Sequence, residues 1–216
     1  MLREAGYIRS EKVYRAMLRV PREEFVPPEY RDLAYEDRPL PIGHGQTISA
    51  PSIVAYMTEL LDPDVGMKVL EVGTGSGYQA AVLAEIVAPT GVDRSEWGHV
   101  YSIERVPELA RIARENLERT GYADRVTVVV GDGSKGYPEE APYDRIIVTA
   151  ASPRIPRPLL EQLVDGGKMV IPVGDLWDQT LYLVVKRDGR VEEARTLPVI
   201  FVPLIGEHAW PLDYER

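Results

Sequence analysis

A glutamate followed by three alternating glycines stands at residues 71–77, in the order Glu-Val-Gly-Thr-Gly-Ser-Gly. Glycine permits a positive φ and a close approach of the backbone to a ligand, so this spacing favours a loop that holds a small molecule. The apolar residues 67–72 before the loop predict a buried strand, and residues 80–87 after it show helical spacing. The first N–H groups of such a helix are free to bind a ligand. The stretch therefore predicts a strand, a binding loop and a helix in succession.

The spacing of these glycines argues against a dinucleotide as the ligand. A dinucleotide-binding loop has the pattern G-x-G-x-x-G, whereas here Gly77 is the third glycine and the bulky Tyr78 follows it. The pattern resembles instead the first motif of the Rossmann-like S-adenosylmethionine methyltransferases. A tight glycine turn without any ligand is the alternative interpretation.

Two further acidic residues follow predicted strands. Glu104 ends the predicted strand 99–104, where nucleoside-binding α/β folds place an acid that accepts hydrogen bonds from ribose hydroxyls. Asp132 lies between two glycines after the predicted strand 126–130, from where it could reach an adenine amino group. The alternatives are a solvated charge for Glu104 and an ordinary Asp-Gly turn for Asp132, which is the better interpretation of that pattern in isolation.

A polar loop precedes the glycine motif. Residues 43–51 read Gly-His-Gly-Gln-Thr-Ile-Ser-Ala-Pro, which is too rich in glycine for a regular element and leads into a helix predicted over 50–61. Gln46, Thr47 and Ser49 could cap this helix, or they could form a polar lip over a ligand pocket. The spacing alone favours the cap.

The remaining periodicity predicts the elements that must position these residues. Helices are expected over 10–20 (capped by Ser10), 107–120 and 156–164, and strands over 143–150, 168–173, 180–186 and 199–205. Alternating strands and helices imply an α/β fold with a mostly parallel, doubly wound sheet and helices on both faces, where ligands bind outside the carboxyl ends of the strands. We expect one domain over 1–216, comprising an N-terminal segment (1–62), a cofactor-binding core (63–174) and C-terminal strands (175–216).

Composition restricts the classes of function. A net charge of −9 disfavours nucleic acid as a partner, because a phosphate-binding surface needs clustered Lys and Arg. The chain has no cysteine, and His44, His99 and His208 lack the spacing of metal ligands. No stretch of about 18 apolar residues and no signal-peptide core is present. We therefore expect a cytoplasmic protein without a metal or membrane contact, and we expect it to be a monomer.

Five separated stretches together resemble one family. Residues 39–51, 71–77, 131–134, 141–144 and 202–206 are similar to those of protein-L-isoaspartate (D-aspartate) O-methyltransferases. The glycine loop is shared by many methyltransferases, but Gln-Thr-Ile-Ser-Ala-Pro and the late Val-Pro-Leu are much more specific. One departure is Ser52, where the family usually has His after Ala-Pro.

The resemblance implies transfer of a methyl group from S-adenosyl-L-methionine to the free α-carboxylate of L-isoaspartyl residues in damaged proteins and peptides, leaving S-adenosyl-L-homocysteine. The family's activity extends in name to D-aspartyl residues. The methyl ester then closes to a succinimide, which can reopen to normal aspartate. A carboxylate is already an anionic nucleophile at neutral pH and the sulfonium is a strong electrophile, so neither a general base nor a metal is required. Catalysis can rest on holding the two reacting atoms in line.

The resemblance also implies roles for particular residues. It identifies Ser49 as the catalytic residue that hydrogen-bonds and orients the substrate carboxylate, without covalent attack, and so favours the lip over the cap. Substrate contacts are expected from Gln46, Thr47, Val202, Pro203 and Leu204. Cofactor contacts are expected from Glu71 (amino group, directly or through water), Gly73, Thr74, Gly75 and Gly77 (methionine part), Glu104 (ribose), and Asp132 and Gly133 (adenine).

Three rival functions deserve a test. The first is a methyltransferase of the same fold that acts on a small molecule or RNA, although the ending Thr-Ala-Ala-Ser-Pro of the fourth strand lacks the Asn/Asp-Pro-Pro-aromatic motif common in nucleic-acid amino methyltransferases. The second is an oxidoreductase that uses a dinucleotide, which Tyr78 disfavours. The third is a protein that binds the cofactor without catalysis.

Overall fold

A seven-stranded sheet forms the centre of the protein in the computed structural model, which describes residues 1–214. The strands in chain order are β1 (Leu40–Gly43), β2 (Gln46–Ile48), β3 (Lys68–Val72), β4 (His99–Glu104), β5 (Val126–Val130), β6 (Tyr143–Val148), β7 (Leu163–Gly174), β8 (Gln179–Arg187) and β9 (Arg190–Val199). The order across the sheet is β5-β4-β3-β6-β7-β8-β9. Neighbouring strands from β5 to β7 are parallel, and β8 and β9 are antiparallel. The predicted mostly parallel α/β sheet is confirmed.

Within residues 1–214, five α-helices cover the two faces of this sheet. They are α1 (Glu11–Arg19), α2 (Pro51–Leu61), α3 (Tyr78–Val87), α4 (Pro107–Arg119) and α5 (Arg157–Gln162). Successive side chains of a strand point to opposite faces, and β3 accordingly places Val69 in one apolar cluster with α1 to α4, and Leu70 in a second cluster with Leu159 of α5. Helices therefore lie on both faces, as predicted.

The helix that follows the glycine loop, α3, is buried along its whole length. This burial arises because α3 lies between the sheet and α1. Helix α1 begins where predicted, and the Ser10 hydroxyl accepts a hydrogen bond from the Val13 N–H, which satisfies one of the free donors of the first turn.

Two predictions about the connecting segments are wrong. Residues 43–51 are not all loop, because β1 and β2 form an antiparallel hairpin whose turn is made by residues of positive φ, His44 (54°) and Gly45 (70°). The last strand is β9, whereas residues 201–205 form only isolated bridges. Most of β9 is exposed and polar, so its sequence lacks the apolar alternation that identifies a strand.

No helix among residues 1–214 is long and apolar enough to cross a lipid bilayer. The predicted C-terminal segment 175–216 is described as far as residue 214.

Candidate active site

A cleft of about 580 Å³ lies at the carboxyl ends of β3, β4 and β6. Its walls come from the glycine loop after β3, from Glu104 at the end of β4, from Thr149 after β6, and from two segments outside the core, Gln46–Thr47 and 202–205. The sheet thus brings most of the predicted site residues together at the carboxyl ends of its parallel strands, where ligands bind in folds of this class.

The glycine loop leaves the sheet through backbone conformations that other residues rarely adopt. Gly73, Gly75 and Gly77 have φ values of 98°, 55° and 94°. A Cβ on Gly73 would lie 2.5 Å from Oγ1 of Thr149, so only glycine fits between β3 and the end of β6. A Cβ on Gly77 would instead meet Ala113 of α4 at 3.5 Å. Gly73 and Gly75 line the cleft, whereas Gly77 packs between α3 and α4.

Glu104 holds the glycine loop in place and still faces the cleft. Its side chain is buried, with one carboxylate oxygen accepting from the Gly75 N–H (2.8 Å) and the other accepting from the Val106 N–H (3.0 Å). A carboxylate offers about four lone-pair positions, so about two are left for further donors. This geometry fits the adjacent hydroxyls of a ribose, and the ribose contact itself stays a prediction.

Glu71 lies away from the cleft. Its side chain is fully buried, the Ser102 hydroxyl donates to Oε1, and the Ser102 hydroxyl is bonded in turn to Thr74. Burial, with a smaller effect of the nearby charge of Glu104, raises the pKa of Glu71 to about 8. Glu71 does not line the cleft described above, so its predicted contact with a cofactor requires a water or a movement, and it stays a prediction.

The raised pKa of Glu71 predicts a dependence of stability on pH. In the folded protein the Glu71 carboxyl keeps a proton that it releases above pH 4.5 in the unfolded chain. Its contribution to the free energy of unfolding is therefore complete below pH 4.5 and is lost progressively as the pH rises toward 8. Glu71→Gln cannot ionise and is expected to remove a decline on the order of 1 kcal/mol per pH unit in this window. Denaturant unfolding of both proteins across the window measures the difference. If the free energy of unfolding had the same dependence on pH in both proteins, Glu71 would be ionised in the folded protein throughout this window.

Asp132 and Gly133 occupy different positions at the end of β5. The Asp132 carboxylate accepts from the Ser134 N–H (2.9 Å) and from the Glu207 N–H (2.8 Å), so it closes a turn and holds the C-terminal segment. Asp132 lines a neighbouring cavity with Trp210, whereas Gly133 lines the cleft. A Cβ on Gly133 would lie 2.4 Å from a methyl of Val72, which requires glycine there. The adenine contacts of both residues stay predictions.

The predicted lip lies on the other side of the cleft. Gln46 and Thr47 line the cleft, while Ser49 lines a second cavity of about 440 Å³. The cleft and this cavity share Thr47, Gly73, Gly75 and Thr149, so they meet at the glycine loop. Thr74 also lines the second cavity.

The capping interpretation of Ser49 is wrong. The N-cap of α2 is Ala50, and that position makes no side-chain hydrogen bond to the helix. The Asp37 carboxylate accepts instead from the Ser52 N–H at 2.9 Å. Since another residue satisfies the helix end, the Ser49 side chain is not required there.

Residues 202–204 form the wall opposite the glycine loop. The Ala151 N–H donates to the Val202 carbonyl and the Leu204 N–H donates to the Ala151 carbonyl, both at 2.8 Å. Val202, Pro203 and Leu204 all line the cleft. These bonds hold the segment extended, which suits a wall along which another chain could lie, and the substrate contact stays a prediction.

Thr149 is a site residue that the sequence analysis missed. Its hydroxyl donates to the Gly73 carbonyl at 2.7 Å, and the residue lines both cavities. Because β6 is adjacent to β3 in the sheet, the residue after β6 must meet the loop after β3. Strand order would have identified it, but a single sequence does not give strand order.

The sheet, the glycine loop and the buried acid after the neighbouring strand are the Rossmann-like arrangement that S-adenosylmethionine-dependent methyltransferases share. A family model described as protein-L-isoaspartate(D-aspartate) O-methyltransferase (PCMT) matches residues 1–209. The chain belongs to this family.

Individual proteins agree with the family match. A protein-L-isoaspartate O-methyltransferase of Hyperthermus butylicus is 70% identical over 97% of this chain and 87% of its own length. A solved protein-L-isoaspartate O-methyltransferase superposes with a TM-score of 0.85 at 35% identity, covering 96% of this chain, which spans 65% of that longer chain. A second structure, the Plasmodium falciparum family member in complex with S-adenosyl-L-homocysteine, gives a TM-score of 0.82 at 29% identity, covering 94% of both chains. The family, fold class, enzyme class and methyl donor predicted from the sequence are confirmed.

Proposed function

We propose that the protein methylates the free α-carboxylate of L-isoaspartyl residues in damaged proteins and peptides, and that Ser49 orients this carboxylate. The observation that carries the proposal is the meeting of two cavities at the glycine loop, one lined by Glu104 and the other by Ser49. A methyl donor in the first and a carboxylate in the second would face each other across Gly73 and Gly75. The proposal extends to D-aspartyl residues, which the family name includes.

The residues of this chain suit a reaction that depends on positioning. S-adenosyl-L-methionine supplies an electrophilic methyl group, and the substrate carboxylate is already ionised at neutral pH. Glu104 and the glycines would fix the donor, while the Ser49 hydroxyl would donate a hydrogen bond to the carboxylate oxygen that does not react. Gln46, Thr47 and residues 202–204 would hold the polypeptide on either side. Alignment of two reactants in this way can account for much of the rate.

The experiment offers labelled S-adenosylmethionine to two peptides that differ in one linkage, normal aspartyl or isoaspartyl. We expect base-labile label on the isoaspartyl peptide alone, because a methyl ester hydrolyses in base. Label on both peptides would contradict selectivity for the damaged linkage. Label on neither, with the donor still bound in a titration, would favour the small-molecule or the non-catalytic alternative.

We further propose that the enzyme acts as a monomer in the cytoplasm and binds no nucleic acid. The net charge of −9 supports the last point, because phosphate backbones are bound by clustered Lys and Arg.

A further inference from the structure

Trp177 and Ile200 are two of the large apolar side chains that are exposed at the same end of the sheet as the cleft. Trp177 is 86% exposed in the turn between β7 and β8, and Ile200 is 70% exposed just after β9. We call Trp177 and Ile200 the apolar rim. Exposed apolar surface next to a binding cleft commonly marks a contact with a partner or substrate.

The turn that carries Trp177 has a defined conformation. The Asp175 carboxylate accepts from the N–H groups of Trp177 (2.8 Å) and Asp178 (2.9 Å), and the Asp175 N–H donates to the Asp178 carbonyl (3.1 Å). These backbone hydrogen bonds lower the pKa of Asp175, so its carboxylate is charged over the physiological range. The turn therefore holds the backbone of Trp177 in one conformation while its side chain is exposed to solvent.

One buried side chain joins the two parts of the apolar rim. Gln179 is only 2% exposed, and its amide donates to the carbonyls of Asp175 (2.8 Å) and Phe201 (2.9 Å). Its oxygen accepts from the Phe201 N–H at 2.6 Å. Because a buried amide with three such bonds is costly to disturb, the Trp177 turn and the residue next to Ile200 keep one relative position.

The apolar rim is continuous with the wall of the cleft. Phe201 leads directly into Val202, which lines the cleft and is bonded to Ala151. Next to Ala151, the Ser152 carbonyl accepts from the N–H of Gly174, the last residue of β7 before the Trp177 turn, at 2.9 Å. Ile200 therefore stands two residues from the wall residue Val202, close enough for a polypeptide on the wall to reach the rim.

We propose that the apolar rim binds an apolar side chain of the substrate polypeptide within a few residues of the isoaspartyl linkage; this inference rests on the function proposed above. The cleft itself selects the linkage, whereas the rim selects the neighbouring sequence. Tryptophan is the side chain that most often anchors such contacts, since it covers a large apolar area with few rotatable bonds. Peptides with an apolar flank should therefore be better substrates than peptides with a polar flank.

The test uses matched isoaspartyl peptides that carry either Phe or Ser at the second position on each side of the linkage. We expect Trp177→Ser to raise KM for the Phe peptides on the order of fivefold or more, with kcat and the KM for the Ser peptides unchanged. Ile200→Ser should act in the same direction. The KM for S-adenosylmethionine should be unchanged, because neither residue lines the cleft.

Leu18→Ser is the matched control. Leu18 is 69% exposed, and it borders a groove with Asp64 and Pro89 at the opposite edge of the sheet. Its substitution should leave both peptide KM values unaltered. If Trp177→Ser changed KM equally for the two peptide types, or changed neither, the proposed role of the apolar rim would be wrong. It would also be wrong if Trp177→Ser lowered the molecular mass in solution, because the rim would then be covered by a second copy of the chain. No transfer by the unaltered enzyme to any isoaspartyl peptide would overturn the function itself, and the rim with it.

Discussion

Glu104→Ala is expected to weaken binding of S-adenosylmethionine by about 1–3 kcal/mol, which is the usual cost of losing a buried, hydrogen-bonded charge. The carboxylate holds the N–H groups of Gly75 and Val106 and faces the cleft with its remaining lone pairs. Its removal would deprive a ribose of its acceptors, and it would also free the glycine loop against which the methionine part should lie. Both effects act on the donor, so we expect the dissociation constant of S-adenosylhomocysteine to rise by a similar factor.

Calorimetric titration with S-adenosylhomocysteine measures this loss without any dependence on the peptide. Glu104→Gln is the informative companion, because it keeps the shape and one acceptor oxygen, but its NH2 group must face one of the two N–H groups that the carboxylate accepts. It should therefore also bind more weakly than the unaltered protein, with part of the loss due to this lost acceptor. Glu108→Ala removes an exposed charge in the first turn of α4, where Glu108 pairs with Arg111, and it should bind normally. An unchanged titration for Glu104→Ala would remove the ribose assignment, provided that its unfolding curve shows an intact fold.

The sequence predicted the core strands well for a physical reason. The strands at His99–Glu104 and Val126–Val130 have the bounds that the apolar runs indicated. Strands of a parallel sheet covered by helices tend to be apolar over most of their length, so each one is visible in isolation. This holds even for β5, which lies at the edge of the sheet with Thr127 and Val130 exposed. The position of Glu104 followed from the same rule, since it marks where the buried run ends.

Side-chain partners were harder to predict, because they depend on contacts between distant segments. Asp132 follows its strand as expected, but its carboxylate is held by Glu207, 75 residues later. Glu71 precedes the glycines as expected, but its side chain turns to Ser102 on the adjacent strand. Neither contact leaves a pattern in the local sequence. The division into three segments also stays a prediction.

The errors in the outer segments have a related cause. The hairpin of β1 and β2 depends on positive φ at His44, which residue type alone does not reveal. Residues 202–205 are apolar because they line the cleft, where Val202 and Leu204 are bonded to Ala151, and this apolar run imitates the pattern of a strand. A functional wall and a core strand therefore look alike in one sequence.

Ser49→Ala is expected to reduce kcat/KM for an isoaspartyl peptide by roughly ten- to a hundredfold, as expected for the loss of about 1.5–3 kcal/mol in a hydrogen bond to a charged group. The affinity for S-adenosylhomocysteine should be nearly unchanged, since Ser49 lines the second cavity and Glu104 lines the cleft. Helix stability should also be retained, because the N-cap of α2 is Ala50. Steady-state kinetics at saturating donor, together with the titration, separates these quantities.

The distribution of the loss between kcat and KM decides what Ser49 does. If the hydroxyl aligns the carboxylate for attack, its contribution is greatest in the transition state and kcat should fall. A rise in KM alone would mean that Ser49 binds the substrate and transition state equally, and an unchanged reaction would remove it from the mechanism. Ser52→Ala is the control, because Ser52 stands three residues away and its backbone N–H, not its hydroxyl, bonds to Asp37. Equal losses of kcat/KM in Ser49→Ala and Ser52→Ala would point to a change in the local conformation as the cause. The hydroxyl of Ser49 would then have no specific role in the reaction.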